Sequence, residues 1–242
     1  MNRYLSILQL NIRRSLWKVL LLAAVFAAGE LGWFAWRLSA DPQMSLFRAG
    51  RVFGTCFVIC LVLSAVLLGF QSSKGSRPEY SLRMFAVGSS ARYIISLLYD
   101  LAAMAFVWAA QALVLLAASR IYMSKAGYTG GPQGALVEVY SSPALGTIMP
   151  LEYKEYWALV IVCVAALAFA ASYMKKVRLL GKFPVISSLI IILAGSSLYS
   201  MTADRMYKAS WPRAGFAAFM AVLSLYMALA VNKDDKKEDD YE

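Results

Sequence analysis

Six long apolar blocks constrain this chain more than any other feature. They occupy residues 19–36, 52–70, 93–118, 156–173, 183–199 and 214–231. A helix of about 20 apolar residues crosses the roughly 30 Å of hydrocarbon in a bilayer. The sequence therefore predicts an all-α integral membrane protein with six transmembrane helices, in a single domain of residues 1–232. Composition agrees, since 60% of the 242 residues are hydrophobic and the mean hydropathy is +0.60.

Basic residues lie mainly between the blocks, where they set topology. The formal net charge is +10, which between apolar blocks indicates anionic lipid headgroups rather than nucleic acid. With a cytoplasmic N-terminus, 15 of the 24 Lys and Arg residues fall in cytoplasmic segments. Both termini are thus predicted to be cytoplasmic, with 233–242 as a charged, disordered tail. A cleaved signal peptide is the alternative for the first block, but its apolar run continues through Trp33 to Trp36.

The first 16 residues have their own periodicity. Leu5, Leu8, Ile12 and Leu16 recur at helical spacing, while Arg13 falls elsewhere on the helical wheel. This pattern predicts an amphipathic helix, residues 1–16, that lies in the inner headgroup layer and then bends into the first span. The alternative is a plain N-terminal extension of the first transmembrane helix.

The loop between the second and third blocks carries a helix signal. Ser76-Arg77-Pro78-Glu79 fits a capping box, with Pro78 tolerated in the first turn. Gly88 can end the helix, and Ser89 or Ser90 can cap the third span. The sequence predicts a short cytoplasmic helix over 76–87. Its apolar side has no protein core of its own, so its partner is the membrane surface or another protein.

Two carboxyl side chains and one amide lie well inside the blocks. A carboxylate within the membrane costs a few kcal/mol unless it is neutral, paired or hydrated. Glu30 falls in the outer half and Asp100 in the inner half, so the two are not expected to pair. Gln111 falls near Glu30 in depth. Glu30 and Gln111 either line a substrate path or subunit interface or make a structural interhelix hydrogen bond. Asp100 is expected to contact Arg92 or the coupling region, and the alternative is a place in the substrate path or subunit interface.

Catalytic signatures are missing. The chain has no His, no GxxxxGK[ST] phosphate loop and no GxGxxG. Cys56, Cys60 and Cys163 are interpreted as small apolar core residues rather than metal ligands. We therefore expect no catalytic site, no metal and no cofactor in this chain.

These features together resemble the permease, or membrane subunit, of an ABC-2 type ABC transporter. An interfacial helix leads into six spans, the cytoplasmic helix after the second span is similar to that family's coupling helix, and both ends are cytoplasmic. The larger outer segment, 120–155, follows the third span here, whereas many members place it between the fifth and sixth.

The resemblance implies the rest of the system. Two permease subunits, identical or related, would form the path, and separate ATPase subunits would bind ATP and Mg in the cytoplasm of a bacterial cell. The coupling residues implied are Ser76, Arg77, Glu79, Tyr80, Arg83, Met84 and Phe85. Two other classes remain open: an ATP-independent ion or solute transporter using Glu30 and Asp100, and an immunity or scaffold protein that binds a partner through 120–155. The sequence does not identify the substrate.

Overall fold

A computed structural model describes residues 3–41, 46–70, 88–124, 148, 154–179, 183–202 and 210–239. Within these ranges the chain forms helices and no strand. The six helices are α1 (Arg3–Ala40), α2 (Leu46–Gly69), α3 (Ser89–Met123), α4 (Lys154–Leu179), α5 (Val185–Thr202) and α6 (Ser210–Asp239). All six are long and apolar enough to cross a membrane. The prediction of an all-helical, multi-pass membrane protein is confirmed at this level.

Interhelical contacts give the relative directions of α1, α3 and α4. The defining pairs are Ser15–Tyr99, Glu30–Gln111, Asp100–Lys175, Trp108–Trp157 and Lys176–Ala228. Residue numbers rise together from α1 to α3, so these helices are parallel, whereas α3 and α4 are antiparallel. We call the end that holds Ser15, Tyr99 and Lys175 the terminal end, and the end that holds Glu30, Gln111 and Trp157 the distal end.

Helix α4 is the centre of the bundle and packs against α2, α3, α5 and α6. Its buried side is rich in small residues, including Cys163, Ala166, Ala168, Ala170 and Ala171. Small side chains let neighbouring backbones approach closely, which is how helices gain packing energy in a membrane. Among the described helices, α1 packs mainly against α2 and α3, so it lies at the edge of the bundle.

The N-terminal segment differs from its expected form. Residues 3–40 make one continuous helix, and no Gly or Pro interrupts the sequence before Gly29. The buried side carries Ile7, Ser15 and Val19, whereas Leu5 and Leu16 are exposed. Leu8 and Ile12 of the predicted apolar side pack against the hydrophobic core, so that side faces the bundle only in part. This arrangement matches the plain extension of the first helix rather than a separate segment that bends.

Two other boundaries also differ from expectation. Helix α6 continues to Asp239, where a disordered tail was expected from about residue 232, because no Gly or Pro follows Gly215 to stop it. Helix α3 begins at Ser89 with Gly88 as N-cap and no side-chain cap, so the predicted serine cap is wrong. The predicted coupling helix, 76–87, and most of the outer segment 120–155 lie outside the described residues.

Candidate functional site: two buried polar clusters

The terminal end contains a buried ion pair between α3 and α4. Lys175 Nζ lies 2.5 Å from Asp100 Oδ1, and Ser172 Oγ donates to Asp100 Oδ2 at 2.6 Å. Lys175 also donates to Ser96 Oγ at 3.3 Å. The Asp100 side chain is 0% exposed and that of Lys175 13%. Both carboxylate oxygens are thus hydrogen-bonded, the condition under which a buried charge is tolerated. We call these four residues the terminal cluster.

Aromatic contacts connect the terminal cluster to α1. Ser15 Oγ donates to the Tyr99 hydroxyl at 2.6 Å, and the Lys175 ammonium lies 5.9 Å from the centroid of the Tyr99 ring. A cation over an aromatic face is attracted by the quadrupole of the ring. The last turns of α4 are therefore tied through α3 to the N-terminal half of α1.

Two further cations at the end of α4 reach other helices. Lys176 Nζ donates to the Ala228 carbonyl of α6 and lies 5.9 Å from the Tyr93 ring centroid of α3. Arg178 Cζ lies 3.9 Å from the Phe70 ring centroid, just beyond the end of α2. Together with Lys175, these residues tie the basic end of α4 to three neighbouring helices.

The distal cluster consists of Glu30 and Gln111. Gln111 Nε2 donates to Glu30 Oε1 at 3.1 Å, and the two residues are 4% and 1% exposed. Glu30 Oε2 and Gln111 Oε1 have no hydrogen-bond partner. Eleven residues separate Asp100 from Gln111 on α3, which is about 16 Å along the helix axis. The structure thus brings Glu30 and Gln111 together and keeps Asp100 in a separate cluster.

Two thiols of α2 lie beside the distal cluster. Cys60 is buried, and Cys56 is half-buried one helical turn away. All three cysteines of the chain are free. In the described part of the chain, no group of three or more Cys, Asp or Glu side chains could hold a metal ion.

Ile148, which precedes α4 in sequence, also packs into the distal end. Ile148 is 1% exposed and belongs to the hydrophobic core, and its carbonyl accepts a hydrogen bond from Trp108 Nε1 at 2.6 Å. Trp108 in turn packs against Trp157, with ring centroids 5.4 Å apart. Ile148, six residues before the start of α4, is therefore anchored inside the bundle, close to the level of Gln111.

Replacing Trp108 with phenylalanine should cost about 1 kcal/mol, because the buried carbonyl of Ile148 loses its donor. Denaturant unfolding of the purified protein measures the loss. The matched control is Trp157→Phe, which removes an indole N–H from the same aromatic pair without touching this hydrogen bond. Equal losses in the two variants would contradict the role of the hydrogen bond.

Sequence reasoning missed the partner of Asp100. Arg92 or the coupling region was expected, and the structure supplies Lys175, which lies two residues beyond the predicted end of the fourth block at Tyr173. The available signal was its spacing, because Ser172 and Lys175 are three apart and share one side of a helix. Helix α4 in fact runs to Leu179, so both residues face α3. The predicted coupling residues, Ser76 to Phe85, lie outside the described residues.

Comparison with known proteins gave no match: no protein family, curated protein or solved structure matches this sequence.

Proposed function

We propose that this chain is the permease subunit of an ATP-driven exporter of the ABC-2 type. It would form the translocation path as a homo- or heterodimer in the inner membrane of a bacterial cell, with both termini cytoplasmic. ATP and Mg would be bound by separate ATPase subunits, and residues 76–87 would couple those subunits to the helices.

One geometric observation carries this proposal. Phe70 and Gly88 flank the segment 71–87, and both lie at the terminal end of the bundle. Phe70 packs under Arg178, and Lys176 lies over Tyr93 in the second turn of α3. Force applied to the segment 71–87 would therefore reach α4 directly at its basic end. From there the Asp100–Lys175 pair and the Tyr99–Ser15 hydrogen bond lead to α3 and α1.

The length of α1 supports the proposed orientation. At 1.5 Å per residue, its 38 residues span about 57 Å, well beyond the roughly 30 Å of hydrocarbon. Arg13, Arg14 and Lys18 mark the terminal side, where anionic headgroups and the positive-inside rule favour them. The residues before Arg13 would then extend α1 into or beyond the inner headgroup layer.

The test is a pull-down of the tagged full-length chain from host membranes in mild detergent. A protein with a phosphate-binding loop should co-purify with the wild type and be lost from the double variant Met84→Asp with Phe85→Asp. The loss is expected because two charges would replace the apolar side chains proposed to fill a groove on the ATPase.

The matched control is Leu136→Asp with Tyr140→Asp, which places two charges in the outer segment instead. Membrane fractionation checks that both variants insert. The proposal fails if no ATPase accompanies the wild type, or if the Met84 and Phe85 variant retains it in full. An ion or solute transporter that works without ATP would give the first of these results.

A further inference from the structure

The distal cluster has a mismatch of hydrogen-bonding groups. The carboxyl of Glu30 accepts one hydrogen bond, at Oε1, and its other oxygen has no partner. The amide of Gln111 donates to Glu30, and its own oxygen also has no partner. Buried polar atoms of native proteins are hydrogen-bonded in the great majority of cases, so two orphaned acceptors in one contact need a physical explanation.

An ionised Glu30 does not account for the mismatch. A carboxylate out of water is stable only beside a cation or several donors. Among the described residues, no cation contacts Glu30, and its one hydrogen bond comes from the neutral amide of Gln111. Asp100 shows the contrast, because an ammonium group and a hydroxyl both donate to its carboxylate.

A single proton resolves the mismatch at both atoms. A carboxylic acid has one O–H donor, and a primary amide offers one donor edge and one acceptor edge. The two groups can therefore join through two antiparallel hydrogen bonds. The observed bond from Gln111 Nε2 to Glu30 Oε1 is the first, and an O–H on Glu30 Oε2 donating to Gln111 Oε1 is the second. If the oxygen and nitrogen of the Gln111 amide are exchanged, the proton on Glu30 is still needed, because the amide oxygen still requires a hydrogen-bond donor.

We propose that Glu30 is a proton-binding site, a neutral carboxylic acid held by two hydrogen bonds to the amide of Gln111. The site lies in the distal half of the bundle, between α1 and α3 and next to Cys60 of α2. The inference stands apart from the proposed ATPase partner, because it depends only on contacts within this chain.

Infrared spectroscopy of the purified full-length protein at neutral pH tests the proposal. Exposed Asp and Glu side chains are ionised under these conditions, so a carboxylic-acid C=O stretching band reports a protonated buried group. The wild type should show this band, and it should disappear in Glu30→Gln. In Gln111→Leu the band should move to higher frequency, because the acid loses its amide partner. Asp100→Asn is the matched control and should leave the band in place.

Isotope labelling keeps the test independent of any one variant. Carbon-13 in the glutamate carboxyl groups should shift the band to lower frequency, whereas the same label in aspartate should not. No acid band in the wild type, or a band that responds to the aspartate label, would overturn the proposal. A second result would also overturn it. If replacing choline with sodium or potassium raised the melting temperature of the wild type but not that of Glu30→Gln, Glu30 would hold a metal cation rather than a proton.

Discussion

Replacing Lys175 with methionine is expected to destabilise the bundle by about 3–5 kcal/mol. The substitution leaves Asp100 buried without the ammonium group that lies 2.5 Å from its carboxylate, and an uncompensated buried charge costs about that much. Asp100 would keep only its hydrogen bond from Ser172. Unfolding of the purified protein in mixed micelles, by increasing the fraction of a denaturing detergent, measures the loss.

Two further variants identify the cause. Asp100→Leu combined with Lys175→Met removes both charges and should recover most of the stability, because an apolar pair of similar volume often replaces a buried ion pair without loss. Lys18→Met removes an exposed lysine of α1 and should change the stability by less than about 0.5 kcal/mol. If the single Lys175 variant and the double variant are equally unstable, packing rather than charge explains the effect.

Substituting Gly69 with leucine is expected to cost about 1–3 kcal/mol, the range for overpacking a tight contact. A Cβ atom at position 69 would stand 2.5 Å from Met174 Sδ and 3.1 Å from Met174 Cβ. The methionine sulfur can move, but the second contact involves an atom fixed to the α4 backbone, so α2 and α4 must separate. The same detergent titration measures the cost.

The control for Gly69 is Gly215→Leu on α6, where a Cβ would meet no atom within 4 Å. That variant should be neutral or slightly more stable, because leucine is a better helix former than glycine. Shortening the opposing side chain in the double variant Gly69→Leu with Met174→Ala should recover part of the loss. A Gly69 variant as stable as the Gly215 variant would show that α2 and α4 do not need their close approach.

Hydropathy alone predicted the six helices, because the length of an apolar run and the thickness of a bilayer are directly linked. Depth along each helix also followed from the sequence, and it put Glu30 near Gln111, where the structure has a hydrogen bond. The sequence did not predict how each helix is rotated about its own axis. Lipid and protein interiors are both apolar, so the two sides of a helix look alike in sequence. On α1, for example, Leu5 and Leu16 are exposed, whereas Ile7 is buried.

Helix ends were the other limit of sequence reasoning. A charged residue next to an apolar block marks the edge of the hydrocarbon or pairs within the bundle, and composition cannot separate these cases. Lys175 was assigned to a loop for this reason, and the terminal cluster was lost with it. Its identification required the register between α3 and α4, a tertiary property that no local pattern contains.

The two charged residues of the terminal cluster are synthesised at different times. Asp100 precedes Lys175 by 75 residues, and at about 5–20 residues per second the lysine is synthesised roughly 4–15 s later. During that interval α3 carries a carboxyl group whose neutralising partner does not yet exist. Until then, Asp100 must be protonated or hydrated for α3 to lie in lipid, so the arrival of Lys175 on α4 stabilises α3 in the bilayer.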